Sequence, residues 1–187
     1  SEASGGLAAI GARAEVEWPD VLAACEADGG GARPYLDPEA GRPTLRALCD
    51  AVEIAAGFGE VPGADAPEAL RERLRATQES EYGLFPESGV ATVDRQGLIA
   101  LPEGYHFLAA GYALECLGSS PRAPVRAVSL VQAPEVLAYL DGLDWEAKGW
   151  SCGSWVDHYA TASYLNLRHH QTGDRLETLF GWLQLHC

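Results

Sequence analysis

The chain has few basic residues for its length, with 13 Lys and Arg against 27 Asp and Glu among 187 residues, and a net charge of −14. The acidic excess is concentrated in residues 1–90, which carry 17 acidic and 7 basic side chains. A surface of this sign repels phosphate groups, so we expect no nucleic-acid partner and no docking on anionic membranes.

Long apolar runs are also missing. No stretch reaches the roughly 18 consecutive apolar residues that suit a membrane-spanning helix. The opening Ser-Glu-Ala-Ser-Gly-Gly lacks the basic start of a secretory signal, and the sequence contains no methionine. We therefore expect no membrane span, and a cytoplasmic protein whose original start has been lost.

Closely spaced cysteine pairs are absent. The five cysteines are widely separated and form no CxxC pair, which favours free thiols in a reducing cytoplasm over a disulfide framework. Three of them, Cys25, Cys49 and Cys116, lie in apolar helical runs and are predicted to be small buried residues.

Short motifs for phosphate or metal chemistry are missing too, because the sequence has no Walker A, GxGxxG or HExxH pattern. Cys152 with His158, or His170 with Cys187, could form a zinc site only through tertiary contacts. We therefore expect no cofactor, with zinc as the open alternative.

Helical patterning is what the sequence has in abundance. Apolar residues recur at spacings of three and four in segments that Gly and Pro separate. Helices are predicted over residues 7–17, 20–27, 43–56, 67–77, 102–117, 121–130, 134–140, 154–171 and 175–185. Residues 29–42, 79–101 and 141–153 are predicted to be loops, with a short extended piece over 90–93. The pattern predicts one all-α domain of stacked antiparallel helical hairpins over residues 43–187, with residues 1–42 peripheral.

Two helix ends share a sequence pattern. The first runs from Leu70 to Gln78 and is followed by Gly83 and Phe85; the second runs from Leu176 to Gln184. A helix that ends in Gln, followed by a turn, Gly and an aromatic ring, resembles the repeat of squalene cyclases and protein prenyltransferases. The Leu-Asp-Gly-Leu-Asp-Trp segment before the last long helix is similar to inter-helix loops of the same proteins.

This resemblance implies an α/α toroid, a ring of helical hairpins whose inner helices line a cavity. In that repeat the Gln closes the helix end, and the Gly permits a tight turn so that the aromatic ring stacks back. Phe85 stands where the repeat usually has Trp. A complete toroid is larger than this chain, so the resemblance implies an incomplete ring that a missing segment or a second chain completes. The Asp-x-Asp-Asp catalytic motif of the class II cyclases is absent, as are the Asp-rich diphosphate-binding motifs of class I terpene synthases, so no catalytic residue carries over.

The predicted helix 154–171 is the candidate inner wall. Spacings of three and four bring rings and hydrogen-bonding groups, rather than leucines, to one face, as suits a ligand cavity. Tyr105 and His106 on an earlier helix, and Trp150, would extend this lining. The alternative is a half-buried helix whose polar tips reach solvent. The face consists of Trp155, Tyr159, Ser163, Asn166 and His170.

The leading functional hypothesis is a terpene-cyclase-like or isomerase-like enzyme, a lyase or isomerase that binds a small apolar substrate. The rings would surround a carbocation-like species. His170, Asp157 or His106 would move the proton.

Two alternatives stay open. Segment 79–106 combines carboxylates with rings, as sugar-processing sites do, and favours a glycan-processing lyase or hydrolase of the toroid type. A helical-repeat scaffold that binds a protein partner on its concave face is the non-enzymatic alternative. The residues behind the glycan hypothesis are Glu81, Tyr82, Glu87, Asp94, Glu103, Tyr105 and His106.

Overall fold

The computed structural model describes residues 2–27, 34–63, 66–88, 93, 101–172 and 176–186. These residues are mostly helical, which confirms the predicted all-α class. The helices are α1 (Glu2–Ala24), α2 (Leu45–Gly57), α3 (Pro67–Ala76), α4 (Leu101–Cys116), α5 (Arg126–Leu130), α6 (Ala133–Asp141), α7 (Trp145–Leu165) and α8 (Leu176–His186). A π-helical turn, Asn166–His170, continues α7. None of the described helices is both long and apolar enough to cross a bilayer.

The N-terminal region differs from its prediction in two ways. Helix α1 is continuous through Pro19, where a break was expected, and alanines, which have high helix propensity, lie on both sides of it. Strands β1 (Leu36–Asp37) and β2 (Arg42–Pro43) pair antiparallel where a loop over residues 29–42 and a helix start at Pro43 were predicted. Strands of two residues are too short to show a period in the sequence.

The turn after α3 is fastened by the side chain of Gln78. Its Nε2 donates to the carbonyls of Gly83 and Ala123, both at 2.8 Å, and its Oε1 accepts from the Ala123 amide at 3.0 Å. Gly83 has φ +76, and a Cβ there would lie 2.3 Å from the Pro124 carbonyl oxygen. Phe85 follows in the core. A glutamine therefore closes this helix end, and only glycine fits the turn.

The second copy of the pattern, on α8, has a different environment. Gln184 is exposed. Trp182 stacks on Trp145, with ring centroids 5.3 Å apart, and donates its indole N–H to Asp141 Oδ1 at 2.6 Å. Helix α8 is thus attached to α6 and to the start of α7 through an indole ring.

Helices α2, α4 and α7 lie side by side, with α4 in the middle. A Cβ on Gly104 would lie 2.5 Å from His158 Nδ1, and one on Gly111 would lie 2.8 Å from Leu165 Cδ1. The later residue of α4 contacts the later residue of α7, so the two helices run parallel. Because the two glycines have no side chain, α4 and α7 can approach each other closely.

Helix α2 runs in the same direction. Arg46, near its start, lies over the ring of Tyr105 near the start of α4, at 4.5 Å from the centroid. Glu53, further along α2, interacts electrostatically with Cys116 at the end of α4. The chain returns between these parallel helices through α3 and through α5 and α6, and the core lies on that side. Its largest members include Leu70, Leu74, Phe85, Phe107, Leu140 and Leu179.

Helix α7 begins earlier than predicted, inside the supposed Trp-rich loop. The Asp144 carboxylate caps its start by accepting from the Ala147 amide at 3.1 Å. Lys148 has non-helical dihedral angles, so the helix is kinked there and continues. At its other end the π-turn stops at Gln171, which has φ 54. The sequence also predicts a helix stop at Gly173 and N-caps at Asp65 and Asp174. These three residues and most of the predicted 90–93 piece lie outside the described residues.

Candidate functional site

The face of α7 that was predicted to line a cavity is packed in the core. Trp155 is 3% exposed and Tyr159 is 1% exposed. The two rings stack with centroids 4.9 Å apart, and Tyr139 packs on Trp155 at 4.6 Å. We call the buried residues Trp155, Tyr159, Ser163 and Asn166 the core stripe.

The polar groups of the core stripe hold the backbone around α5. Asn166 accepts from the Val125 amide at 2.7 Å and donates to the Val125 carbonyl at 2.9 Å. The Tyr159 hydroxyl donates to the Val128 carbonyl at 3.4 Å. Tyr159 and Asn166, two of the residues that suggested a ligand, are therefore engaged with the protein itself, whereas the buried Ser163 hydroxyl has no hydrogen-bond partner among the described residues.

The opposite face of α7 is open to solvent. Its residues are spaced by four, three, four and three, which places them on one side of the helix. Trp150 is 92% exposed and Tyr164 is 45% exposed. We call Trp150, Ser154, Asp157, Thr161 and Tyr164 the open stripe.

The open stripe joins similar faces of the two parallel helices beside it to form one surface with two cavities. One cavity, of about 530 Å³, is lined by α2, α4 and the far part of α7. The other, of about 710 Å³, is lined by α4 and the first half of α7. Tyr105 and Leu108 line both cavities, which therefore adjoin each other, and we call the whole the aromatic cleft. Its chemistry-bearing side chains are Arg46, Glu53, Tyr105, Tyr112, Glu115, Trp150, Ser154, Asp157, His158, Thr161 and Tyr164.

Glu53 is the cleft carboxyl whose protonation is most clearly perturbed. Burial raises its pKa above the ordinary value, the nearby Asp50 carboxylate raises it further, and Arg46 opposes both. Arg46 is itself paired with Asp50, Nε to Oδ1 at 2.5 Å, while its guanidinium covers Tyr105. The cation is thus largely neutralised, and Glu53 keeps its proton to a higher pH than an ordinary glutamate does.

Glu115, in the same cavity, has the opposite environment. The π-turn brings two basic side chains to it: His169 Nε2 lies 2.5 Å from Oε1, and Arg168 lies 2.8 Å from Oε2. Arg168 also donates to the Tyr164 hydroxyl at 2.8 Å. Single π-turns are frequent at functional sites. Here the turn fixes a carboxylate and a ring of the cleft.

His158 forms part of the floor of the second cavity. It is buried, its Nε2 lies 3.3 Å from Ser154 Oγ, and within the described residues its Nδ1 has no hydrogen-bond partner. Burial lowers its pKa, and Asp157 partly opposes this effect. The ring meets the edge of Tyr105 at 6.1 Å. A neutral imidazole therefore lies behind the rings of the cleft.

The three residues predicted to be catalytic are not brought together. Asp157 is in the cleft, as are the predicted binding residues Tyr105 and Trp150. His106 follows Tyr105 by one residue, so it points about 100° away around α4. His170 ends the π-turn against the Pro121 backbone; burial and His169 lower its pKa, and the Pro121 contact opposes them.

The carboxylates of segment 79–106 that the structure describes serve the fold. Glu87 accepts from the Leu45 amide at 2.8 Å and pairs with Arg42 at 3.3 Å, which caps α2. Glu81 is exposed, and Tyr82 packs against the core. Asp94 and the Glu103 side chain lie outside the described part. The cleft carboxyls Glu53 and Glu115 escaped prediction, because they come from separate helices and share no motif.

One short pattern in α7 matches a hydrolase motif by its letters only. Residues 149–153 read Gly-Trp-Ser-Cys-Gly, which fits GxSxG. In α/β-hydrolases that serine sits on a sharp turn between a strand and a helix. Here Ser151 lies within a helix. The match therefore indicates no nucleophile of that kind.

The described residues provide no cluster of ligands for the zinc site that was kept as an alternative. Among the described residues, no group of three or more His, Cys, Asp or Glu side chains could hold a metal ion. Cys152 points its thiol at the Asp144 carbonyl, 3.6 Å away, and His158 contacts Ser154. Cys187, from the second predicted pair, lies outside the described residues.

No family model, curated protein or solved structure matches this chain.

Proposed function

We propose that the aromatic cleft binds a neutral glycan and that the protein is a glycan-processing enzyme. Exposed rings alternate with hydrogen-bonding side chains along one open surface, and this arrangement carries the proposal. A sugar ring has an apolar C–H face that packs on an aromatic ring and a rim of hydroxyls that need polar partners. Tyr105, Trp150 and Tyr164 offer the first kind of contact, and Asp157 and Thr161 the second.

The charge of the cleft favours a neutral ligand. Arg46 is paired with Asp50, while Glu53, Glu115 and Asp157 line the surface. The whole chain carries a net charge of −14. A glycan rich in uronic acid would be repelled, so hydrolysis of a neutral glycan suits this cleft better than elimination from an acidic one.

Glu53 and Glu115 are the proposed catalytic pair. Hydrolysis of a glycosidic bond uses one carboxylic acid to protonate the leaving oxygen and one carboxylate to act as base or nucleophile. Burial raises the pKa of Glu53, and the Glu115 carboxylate contacts the side chains of Arg168 and His169. Two carboxyl groups in such different environments can divide the two roles.

The helix arrangement supports an inner wall of an incomplete α/α toroid. Helices α2, α4 and α7 run parallel and side by side, and the intervening helices return the chain behind them. The Gln78 turn has the hydrogen bonds that the repeat of squalene cyclases and prenyltransferases implies. In this arrangement the aromatic cleft faces the centre of the ring, and a further segment or a second chain would complete it.

A terpene-cyclase-like or isomerase-like enzyme for an apolar substrate is the second candidate. The aliphatic residues Leu108, Ala109 and Leu165 between the rings favour it, and Glu53 could supply the proton. It ranks second because carbocation chemistry needs a site that excludes water. The rings of this cleft stand in solvent.

The test is binding and cleavage of neutral oligosaccharides. Hexamers of α- and β-linked glucose, xylose and N-acetylglucosamine are titrated by calorimetry, and new reducing ends are counted. We expect one of them to bind and be cleaved, and Glu53→Gln to lower turnover by about 10²–10⁴-fold with the affinity largely retained.

Glu60→Gln is the matched control, since Glu60 is exposed just beyond α2 and its loss should leave turnover unchanged. Failure of every hexamer to bind would overturn the proposal. Binding of an isoprenoid alcohol instead would favour the second candidate, and binding without cleavage would reduce the protein to a glycan-binding scaffold.

A further inference from the structure

The two cavities of the aromatic cleft form one long surface. The open stripe runs from Trp150 to Tyr164, and fourteen residue-to-residue steps with a rise of about 1.5 Å each give a length of roughly 21 Å. Tyr105 and Leu108 border both cavities near the middle. The surface is therefore much longer than it would need to be for one sugar unit.

The chemistry changes along this length. The proposed catalytic carboxyls Glu53 and Glu115 line only the first cavity, together with Tyr112 and Tyr164. The second cavity holds Trp150 and the polar side chains of α7, Ser154 and Asp157 among them. One end thus carries the carboxyl pair, and the other carries a ring with hydrogen-bonding groups.

Trp150 occupies an unusual position for its type. Tryptophan is highly buried on average, yet this ring is 92% exposed at the far end of the cleft. It lies within one turn of the Lys148 kink, where it joins the cleft lining with Gly149 and Ser151. This large flat ring therefore offers a stacking surface that the described part of the protein leaves uncovered.

We propose that the cleft is a track for an unbranched neutral oligosaccharide, with Trp150 as the outermost stacking platform and the Glu53–Glu115 pair near the opposite end. This inference rests on the proposed function and specifies its substrate as a polymer rather than a short sugar. Short oligomers bind at the carboxyl end, and only longer ones reach Trp150. The platform therefore contributes affinity only above a threshold length.

The experiment compares oligomers of two to eight units, of the sugar that binds, on the wild-type protein and on Trp150→Ala. Dissociation constants are measured by calorimetry, and circular dichroism checks folding. We expect wild-type affinity to rise with length until the track is filled. Trp150→Ala should lose about tenfold for the octamer, the order of one aromatic contact, and less than about twofold for the dimer and trimer.

Phe180→Ala is the matched control, because Phe180 is an exposed ring on α8 that does not line the cleft. It should change no affinity. If affinity does not rise with length, or if Trp150→Ala affects every length equally or none, the track is wrong while the glycan proposal stands. If no oligomer of any length binds, both fail.

Discussion

Helix α7 has two aromatic faces with similar residues and opposite roles. The core stripe holds Trp155, Tyr159 and Asn166 against α5 and α6, and the open stripe presents Trp150 and Tyr164 to solvent. Each face combines rings with hydrogen-bonding groups at spacings of three and four. The comparison teaches that helical spacing identifies a face, whereas the neighbouring helices decide whether it becomes core or cleft.

Truncation of a core ring should have the largest effect on stability. Tyr159→Ala removes a ring that is stacked on Trp155 and fully enclosed, so the free energy of unfolding should fall by about 3–5 kcal/mol. Urea denaturation measures this. Trp150→Ala, on the open stripe, should change it by less than about 0.5 kcal/mol. Equal losses for the two variants would contradict the assignment of the stripes.

Removal of the Asn166 amide should have the next largest effect. Asn166→Ala leaves both the buried amide and the carbonyl of Val125 without their partner. An unsatisfied buried group costs about 1–3 kcal/mol, so we expect a loss of at least about 2 kcal/mol in urea. Thr161→Ala, on the open stripe, is the control and should be nearly neutral. A neutral Asn166→Ala would show that the clamp on Val125 is unimportant.

The close contact between α4 and α7 predicts a smaller effect. Gly104→Ala places a Cβ 2.5 Å from the ring of buried His158, and the resulting shift should cost about 1–3 kcal/mol. Gly11→Ala in α1 is the control: a Cβ there meets nothing within 4 Å, and it should stabilise by up to about 1 kcal/mol. Thermal unfolding of the pair measures the contrast, and a stabilising Gly104→Ala would contradict the packing of these helices.

The smallest predicted effect is a dependence of stability on pH. The folded protein holds the pKa of His158 below its ordinary 6.5, so the unfolded chain binds the proton more readily. The contribution is therefore complete above pH 6.5 and is lost as pH falls through the folded pKa. His158→Gln should weaken the decrease of the unfolding free energy between pH 7 and pH 5.

His170, whose pKa is also lowered, should leave part of that slope in the His158→Gln protein. Thr161→Ala, which removes no titratable group, is the control and should keep the full wild-type slope. An unchanged slope in His158→Gln would show that this imidazole is not held in its neutral form.

Much of the helical framework could be predicted from the sequence, because its signals are local. Thr44 caps α2 next to the predicted helix start at residue 43, and Leu45, Leu48 and Val52 belong to its buried face. Gly118 ends α4 with φ +65, as predicted. The Gln78 side chain closes the turn after α3 by donating to the nearby Gly83 carbonyl. In each case the information lies within a few residues of the feature.

The candidate site could be predicted only in part, because it depends on contacts between distant segments. Tyr105, Trp150 and Asp157 were identified from their chemistry, and the structure places all three in the cleft. Glu53 and Glu115 come from separate helices, and nothing local relates them. The orientation of α7 depends on the small size of Gly104 and Gly111, which the hydrophobic pattern does not reveal.

The indole N–H signals of Trp150 and Trp155 in an NMR titration test the central claim most directly, because these rings report on the two faces of one helix. Their signals are assigned with Trp150→Phe and Trp155→Phe. At a saturating concentration of the neutral oligosaccharide that binds, the Trp150 signal should shift and the Trp155 signal should stay within its line width. A shift of Trp155 with Trp150 unmoved would contradict the assignment of the open face as the binding site.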